Sequence, residues 1–405
     1  MPAQVNPTST RAEAKNVEIS HSGVAAPNTG AWVPKLSYLD PPSQPSSLWG
    51  GASVPVEFEI PQTTGKLMDA VLMMDVTTPG TALTAGTIPP TTHWVDSIES
   101  FLGSQMIERV VADDLLNETL LFLSDMELNS IAPVVNITTG GAYRSDTLPA
   151  ASTTYRFFLP LWANAIVTAQ PWCKGFNQKF KFRVNFAPNL YNSSGTSTTA
   201  PTITQVKLLV TEAQLKPEDE RELERLHMRQ TIEYRTVRRN KHVSTTKDFT
   251  NQPASEITEV LTEFAHTDSA GLLIYCRPSG GYAQYPNTAR KALYELGLLD
   301  GRNTQLVPRV SGKYNEAFVL PNQLATSQAI SESAAYIYLF PFCANLGRVL
   351  ETGDPLGGLQ LEGNEKLTYI NSAASSATAT IIHVESFEYC RIVVTKGNSA
   401  IYYRA

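Results

Sequence analysis

A short apolar phrase containing a proline and ending on asparagine occurs twice in this chain. It reads LPLWAN from Leu159 to Asn164 and returns as FPFCAN from Phe340 to Asn345, 181 positions later. Each copy closes a hydrophobic run. Proline cannot donate a hydrogen bond to a neighbouring strand, so each proline should mark a strand end, an edge or a bulge. The recurrence predicts two related β-domains in one polypeptide.

The length of the chain agrees with such a duplication. With 405 residues, 42% of them hydrophobic, the chain is too long for one ordinary core. It suits two domains of about 150 to 200 residues each. The cysteines lie far apart, with no CxxC pair and no Cys/His cluster, which indicates neither a disulfide framework nor a zinc site. They are Cys173, Cys276, Cys343 and Cys390.

Composition and periodicity divide the chain into four segments. Residues 1–48 are rich in Pro, Ser, Thr and Asn, which predicts an extended N-terminal arm. Residues 49–214 and 230–405 consist of short β-like runs separated by turn residues, the pattern of a sandwich or jelly roll. A short helical linker, 215–229, joins them, since Pro217 suits the first helical position and acidic residues precede basic ones along the helix dipole.

The patterns also place individual elements. The predicted strands of the first β-rich segment are 54–60, 71–76, 95–102, 106–111, 116–123, 155–161, 180–186 and 206–213. Those of the second are 232–237, 257–264, 272–276, 336–342, 381–389, 391–395 and 401–403. We also predict a hairpin turn at 396–399 and a short helix at 288–296.

Two groups of charged residues are candidates for chemistry. A basic cluster, Arg235, Arg238, Arg239 and Lys241, suits phosphate binding, but many acidic residues are close in sequence, which favours ion pairs. Those acidic residues are Glu212, Glu218, Asp219, Glu220, Glu222, Glu224 and Glu233. The adjacent carboxylates Asp113 and Asp114, with Glu118, suit a general acid/base pair, yet no nucleophile, phosphate loop or metal partner lies nearby in sequence.

Metal-binding patterns are missing from the sequence. The six histidines, His21, His93, His227, His242, His266 and His383, are scattered and form no HExxH motif. The segment from Asp300 to Asn303 begins like a calcium loop, but Ser311 stands at the twelfth position, where an acidic ligand is needed, so we predict a plain turn. We therefore expect no catalytic, cofactor-binding or metal-binding residues, and we expect that the protein is not an enzyme.

Several segments together carry a family resemblance. In order they are IESFLGSQMIE at 98–108, FLPLW at 158–162, the charged segment 215–229, LLDGR at 298–302, the run 336–342, GDPLGGL at 353–359, YCRIVV at 389–394 and AIYY at 400–403. This succession resembles the double jelly-roll major capsid proteins of large nucleocytoplasmic DNA viruses. That lineage also includes tectiviruses and the adenovirus hexon.

The resemblance implies both a fold and a function. The fold is all-β, with two tandem eight-stranded jelly-roll sandwiches, a short helical linker and an extended N-terminal arm. The function is that of a major capsid protein in the virion of an icosahedral double-stranded DNA virus, assembled inside the host cell. Two similar sandwiches taken three times around an axis give six comparable wedges, so homotrimers form pseudo-hexagonal capsomers that tile the shell. Expected partners are neighbouring capsomers, minor capsid and vertex proteins and an internal membrane surface.

The charge of the arm bears on contact with the genome. Residues 1–48 carry Arg11, Lys15 and Lys35 against Glu13, Glu18 and Asp40, a net charge of zero. An arm that neutralises packaged nucleic acid should be strongly basic, so we expect no direct sequence-specific nucleic-acid binding. No apolar run approaches the roughly 18 residues of a membrane span and no apolar signal core occurs, so we expect neither a transmembrane segment nor secretion.

A second function class stays open on the sequence alone. A two-module β-sandwich carbohydrate-binding, lectin-like protein would recognise sugars by stacking them on exposed aromatic rings. Trp162 and Trp172, near Tyr155, are the candidates for such a platform. Their apolar neighbours favour a place in a core or an interface instead.

Overall fold

The structure is a computed structural model that describes residues 33–42, 55–77, 91–121, 153–161, 164–187, 202–245, 256–278, 290, 292–324, 336–371 and 380–402. The strands of the first half are β1 Val33–Leu39, β2 Val56–Glu59, β3 Lys66–Thr77, β4 Val95–Leu102, β5 Gln105–Val111, β6 Thr154–Pro160, β7 Phe180–Phe186 and β8 Thr202–Gln214. Its helices are α1 Ala112–Leu121, α2 Ala165–Ala169 and α3 Pro217–Arg229, with 3-10 turns at Thr91–Trp94 and Cys173–Gly175.

The second half likewise consists of strands joined by short helices and turns. Its strands are β9 Thr231–Val243, β10 Glu256–Val260, β11 Thr267–Pro278, β12 Leu293–Leu299, β13 Gln305–Ser311, β14 Ile337–Pro341, β15 Leu359–Leu361, β16 Lys366–Asn371, β17 Thr380–Thr395 and β18 Asn398–Tyr402. Its helices are α4 Gly312–Tyr314, α5 Leu320–Gln323 and α6 Leu346–Thr352. A 3-10 turn spans Thr262–Phe264, and a π-helical turn, Asn315–Val319, connects α4 to α5.

Strand order shows that the two halves are built alike. In the first half, an antiparallel sheet β1-β8-β3-β6 faces a second sheet, β2-β7-β4-β5. In the second half the order is β9-β17-β11-β14 and β10-β16-β12-β13, which is the same order with each strand replaced by its counterpart. The short strand β15 pairs with β11, and β18 pairs with β17, as additions to this plan. The predicted all-β fold of two tandem eight-stranded jelly-roll sandwiches is therefore confirmed.

The repeated phrase has the same structural role in both halves. Pro160 is the last residue of β6, and Pro341 is the last residue of β14, as expected for a residue that cannot extend a ladder. Asn164 and Asn345 then cap α2 and α6, because each side-chain oxygen accepts a hydrogen bond from a helix amide, at 3.0 and 2.8 Å. The phrase therefore encodes a strand end followed by a capped helix start.

Each sandwich encloses an apolar core supplied by alternate strand residues. In β7, Phe180, Phe182, Val184 and Phe186 are buried while the residues between them are half-exposed. The predicted linker helix is confirmed as α3, and its Leu223 packs against the core of the first sandwich. The predicted terminal hairpin is confirmed as β17–β18, which turns through two residues of positive φ, 51° and 80°.

Two sequence predictions of element type were wrong. Residues 116–123 were predicted as a strand, but Ala112–Leu121 is helix α1. Its leucines face two different cores, Leu115 in the first sandwich and Leu116 beside the second, so burial on both sides hides the helical period. Residues 288–296 were predicted as a helix, but Leu293–Leu299 is strand β12, whose pairing with both β13 and β16 outweighs the helix propensity of its residues.

The boundaries of the arm and of the last long strand also differ from expectation. Val33–Leu39, which fall in the predicted arm 1–48, form β1 and pair with β8 along their whole length. Exposed side chains and Pro34 make this edge strand resemble a loop in sequence. The predicted strands 381–389 and 391–395 are one strand, β17. Residues 1–32 lie outside the described part of the chain.

Candidate functional site at the junction of the two sandwiches

The feature that fixes the shape of this protein is the contact between its two sandwiches. The outer face of the sheet β9-β17-β11-β14 is covered by β5, α1 and α2 of the first sandwich, together with α5 and α6 of the second half. Leu116 and Leu121 of α1 pack there with Leu273 and Leu339 in one apolar cluster. Because these leucines are almost completely buried, the contact excludes water as a protein core does.

Beside this apolar contact, ion pairs cross from the first sandwich to the second. Glu108 of β5 binds Arg239 of β9 at 2.8 Å, and both side chains are almost fully buried. Asp114 of α1 binds Lys241 at 2.7 Å, and Asp113 forms a close pair with Arg277. We call these residues, together with Tyr275 and Glu385, the junction network.

Further hydrogen bonds complete the junction network, to which Asn117 and Arg290 also belong. The hydroxyl of Tyr275 donates a hydrogen bond to Asp114 at 3.1 Å, and Lys241 donates one to that hydroxyl at 2.7 Å. Arg290 donates to the side-chain oxygen of Asn117 at 2.7 Å and stacks over the Tyr275 ring at 4.4 Å. Such contacts demand defined distances and angles, so they hold the two sandwiches in one relative orientation.

Burial raises the pKa of two acids in the junction network, Glu108 and Glu385. Burial raises the pKa of Glu385 to about 8, with the negative charge of Asp114 adding to the effect. The Nε of Arg239 is 3.8 Å from the Glu385 carboxylate. Burial likewise raises the pKa of Glu108 above its ordinary value and outweighs the attraction of Arg239. Burial lowers the pKa of His383, whose ring stacks on Tyr275 at 4.9 Å.

Each residue of the basic cluster forms an ion pair in the structure. Arg239 and Lys241 belong to the junction network, Arg235 binds Asp354 at 3.2 Å, and Arg238 binds Glu388 at 2.7 Å. The predicted ion pairs are therefore confirmed in kind. Their partners, however, are Glu108, Asp114, Asp354 and Glu388, none of which belongs to the sequence-local acids that were expected.

The other candidate residues are in structural positions. Asp113 and Asp114 bind cations of the other sandwich, and the side chain of Glu118 lies outside the described residues. Asp300 accepts hydrogen bonds from the backbone amides of Arg302 and Thr304, at 2.8 and 2.6 Å, as in an ordinary turn.

The described histidines do not share a site. His227 is buried between Leu223 and Tyr234, and burial lowers its pKa to about 4. His242 pairs with Glu263 and Glu259, and His266 pairs with Glu362. His21 and the side chain of His93 lie outside the described residues. Within the described ranges, no group of three or more His, Cys, Asp or Glu side chains suits a metal ion.

The aromatic residues proposed as a sugar platform do not form one in the described structure. Trp172 is 4% exposed and packs on the ring of His227 at 4.7 Å. Tyr155 is partly buried against the core of the first sandwich, and Trp162 lies outside the described residues. The interpretation of Trp172 as a core residue is therefore confirmed.

Sequence reasoning missed the junction network itself. The available signal was the spacing of Val237, Arg239 and Lys241, which share one face of a sheet if the predicted strand 232–237 continues to Lys241. Their acidic partners come from a different domain and cannot be identified from spacing.

Among the described helices, none has the length and apolar character that crossing a membrane requires.

No protein-family model matches the sequence, and no curated protein matches it significantly. Among solved structures, a chain of the PBCV-1 virus capsid matches with a TM-score of 0.69 at 14% identity, over 92% of this chain and 97% of the other. The Faustovirus major capsid protein matches with a TM-score of 0.59 at 10% identity, over 90% of each chain.

A third match extends the comparison to a smaller virus. The mavirus major capsid protein matches with a TM-score of 0.54 at 9% identity, over 96% of this chain and 93% of that one. All of these matches span both sandwiches and the junction between them, so they concern the whole architecture and not one module. The chain therefore has the double jelly-roll fold of the Faustovirus and mavirus major capsid proteins.

Proposed function

We propose that this chain is the major capsid protein of an icosahedral double-stranded DNA virus. The observation that carries the proposal is the pairing of two sandwiches with the same strand order, held in one orientation by the buried junction network. The likeness to viral major capsid proteins over nine-tenths or more of the chain supports it.

The proposed mechanism is geometric. One chain supplies two similar wedges at a fixed angle, so three chains around a threefold axis supply six wedges and a nearly hexagonal outline. Hexagonal blocks tile a closed shell. Contacts in such a ring are heterologous, with one surface of a chain meeting a different surface of the next. The fixed angle within each chain is therefore what determines whether the ring closes.

The same proposal covers domains, partners and location. We propose residues 49–214 and 230–405 as the two sandwich domains, with β1 joined to the first. Residues 215–229 are the proposed linker, and the residues before β1 are the proposed arm. Neighbouring capsomers, minor capsid and vertex proteins and an internal membrane surface are the proposed partners, within the virion. The role is structural and not enzymatic, which agrees with the engagement of Asp113 and Asp114 in ion pairs.

Light scattering on the purified protein tests this proposal against the carbohydrate-binding alternative. We expect the mass of three chains, or of larger assemblies built from trimers, and no binding to a glycan array. A stable monomer that binds glycans would contradict the proposal. The burial of Trp172 already removes one of the aromatic residues on which that alternative depended.

A further inference from the structure

The duplication lets the contact within one chain predict the contact between chains. The sheet β1-β8-β3-β6 corresponds to β9-β17-β11-β14, as their strand orders show. Strand β5, Gln105–Val111, corresponds to β13, Gln305–Ser311, at an offset of 200 residues. Each is followed at once by helical structure, α1 after β5 and the segment from α4 to α5 after β13. Helix α1 and residues 312–323 are therefore equivalent elements.

Within one chain, α1 and β5 of the first sandwich pack with α2 on the outer face of the sheet in the second. The equivalent face in the first sandwich is the outer side of β1-β8-β3-β6. There, Leu36 and Tyr38 of β1 are 53% and 56% exposed. Strand pairing joins Tyr38 to Leu209 of β8 and Leu209 to Val71 of β3, so these three side chains form one row across the sheet.

We call this surface the apolar face, and Phe158 of β6 extends it. Its rim is polar, since Lys207 binds Asp40 at 3.5 Å and Arg156 binds Asp75 at 2.8 Å. Arg156 donates this hydrogen bond to the carboxylate of Asp75, and it is the main cause that raises the pKa of Arg156. An apolar centre within a rim of ion pairs is the usual anatomy of a protein interface.

The other uncovered sheet faces have a different character. On β2-β7-β4-β5, Arg183 binds Glu57 and Glu99 at 2.6 and 3.4 Å, as expected of a surface in water. On β10-β16-β12-β13, Arg309 binds Glu256 at 2.6 Å. Of the outer sheet faces in the described part of the chain, one is covered within the chain and two carry ion pairs. Tyr294 is also exposed on β10-β16-β12-β13, so the apolar face is recognised by its continuous row of Tyr38, Leu209 and Val71 and not by exposure alone.

The element equivalent to α1 carries a matching surface. Tyr314 and Phe318 of residues 312–323 are 52% and 59% exposed, and their rings stack on each other at 5.3 Å. At the offset of 200 residues Tyr314 corresponds to Asp114, which binds Lys241 of β9 within the chain. Since β9 corresponds to β1, the equivalent contact of Tyr314 is with β1 of another copy.

We propose that residues 312–323 of one copy dock on the apolar face of the next copy, with Tyr314 and Phe318 against Leu36 and Tyr38. This inference rests on the proposed trimer and assigns the surfaces that close it. The chemistry is consistent at both positions: charged groups meet charged groups within the chain, and aromatic groups meet apolar groups between chains. The balanced ion pairs of the rim do not favour a nucleic acid or an anionic membrane, either of which would select a basic surface.

Single substitutions on the two surfaces test the assignment. We expect Tyr38→Glu and Phe318→Glu each to raise the dissociation constant of the trimer at least about 30-fold in sedimentation velocity, as loss of a central interface residue does. Val260→Glu, at a strand residue that is 40% exposed on another sheet, is the matched control and should leave the trimer intact. Circular dichroism should show all three variants folded, because each replaced side chain is exposed within its own chain.

Mixing the two variants gives a sharper result. Each Tyr38→Glu chain keeps an intact helical segment, and each Phe318→Glu chain keeps an intact apolar face. Together they can make one intact contact but cannot close a ring, so we expect heterodimers.

A Tyr38→Cys/Tyr314→Cys double variant should also form covalent trimers with a short bismaleimide, since the four native cysteines are buried.

The outcomes separate this inference from the proposed function. If the wild-type protein is a monomer, both are wrong. If the wild type is a trimer while the glutamate variants remain trimers and the cysteine variant does not cross-link between chains, the proposed function stands and the assignment of these two surfaces is wrong. A Tyr38→Cys/Val260→Cys variant controls for random cross-linking and should give only background levels.

Discussion

Replacing Arg239 with methionine should loosen the junction between the sandwiches, because it removes the cation shared by two buried acids. The guanidinium is 2.8 Å from Glu108 and 3.8 Å from Glu385, and its side chain is 3% exposed. Removing one partner of a buried pair costs about 3 to 5 kcal/mol, because a buried charge is left without compensation. At about 2 to 4 °C per kcal/mol, the melting temperature should fall by about 10 °C.

The cost of this substitution should depend on pH. A buried carboxylate that has lost its cation can bind a proton, and the neutral acid no longer has the free-energy cost of an unpaired buried charge. For a group whose ordinary pKa is 4.5, protonation costs about 5 kcal/mol at pH 8 but less than about 1 kcal/mol at pH 5. The deficit of Arg239→Met relative to wild type should therefore be large at pH 8 and mostly gone at pH 5.

Differential scanning calorimetry at both pH values measures this effect. Arg309→Met is the matched control, because Arg309 makes an ion pair of similar length, 2.6 Å to Glu256, with both side chains more than a third exposed. Exposed pairs contribute about 0 to 1 kcal/mol, so the control should melt within a few degrees of wild type. Equal melting of the two variants at pH 8, or a deficit of Arg239→Met that does not change with pH, would refute the reasoning.

Three further predictions concern other parts of the chain. Burial raises the pKa of Glu316 to about 7, so the folded state binds this proton more tightly than the unfolded state does. Stability should therefore fall as the pH rises from about 4.5 past 7. Glu316→Gln should flatten that part of a plot of melting temperature against pH. Loss of a helix cap in Asn164→Ala or Asn345→Ala should each cost about 1 kcal/mol in thermal unfolding, and an unchanged melting temperature would contradict the shared role of the repeat. Gly312→Ala should lower the yield of folded protein, because an added Cβ would clash with the carbonyl oxygen of Leu293; normal expression and melting would show that the backbone can move aside.

The elements that were identified correctly from sequence are those with a clear pattern in neighbouring residues. Strands such as β7 alternate buried and half-exposed residues, and α3 has proline at its first position with acidic residues after it, so both were identified from sequence. Helix α1 was missed because it is buried on two sides and has no single apolar stripe. Strand β1 was missed because an exposed edge strand has no buried face to create a pattern.

The junction network lay beyond sequence reasoning for a related reason. Asp114 and Lys241 are 127 residues apart, and Asp113 and Arg277 are 164 residues apart, so no spacing rule connects them. Sequence showed that the basic residues of β9 needed acidic partners, and it suggested the nearest acids in the chain. The tertiary fold supplied different ones, because strand pairing sets neighbours by register and not by sequence distance.

Imaging of the purified capsomer tests the central claim most directly. Class averages from negative-stain electron microscopy should show a particle with a nearly hexagonal outline and threefold symmetry, made of six lobes from three chains. Two-lobed single chains, or a twofold dimer, would contradict the account, because the fixed angle between the sandwiches would then serve some purpose other than closing a ring of three.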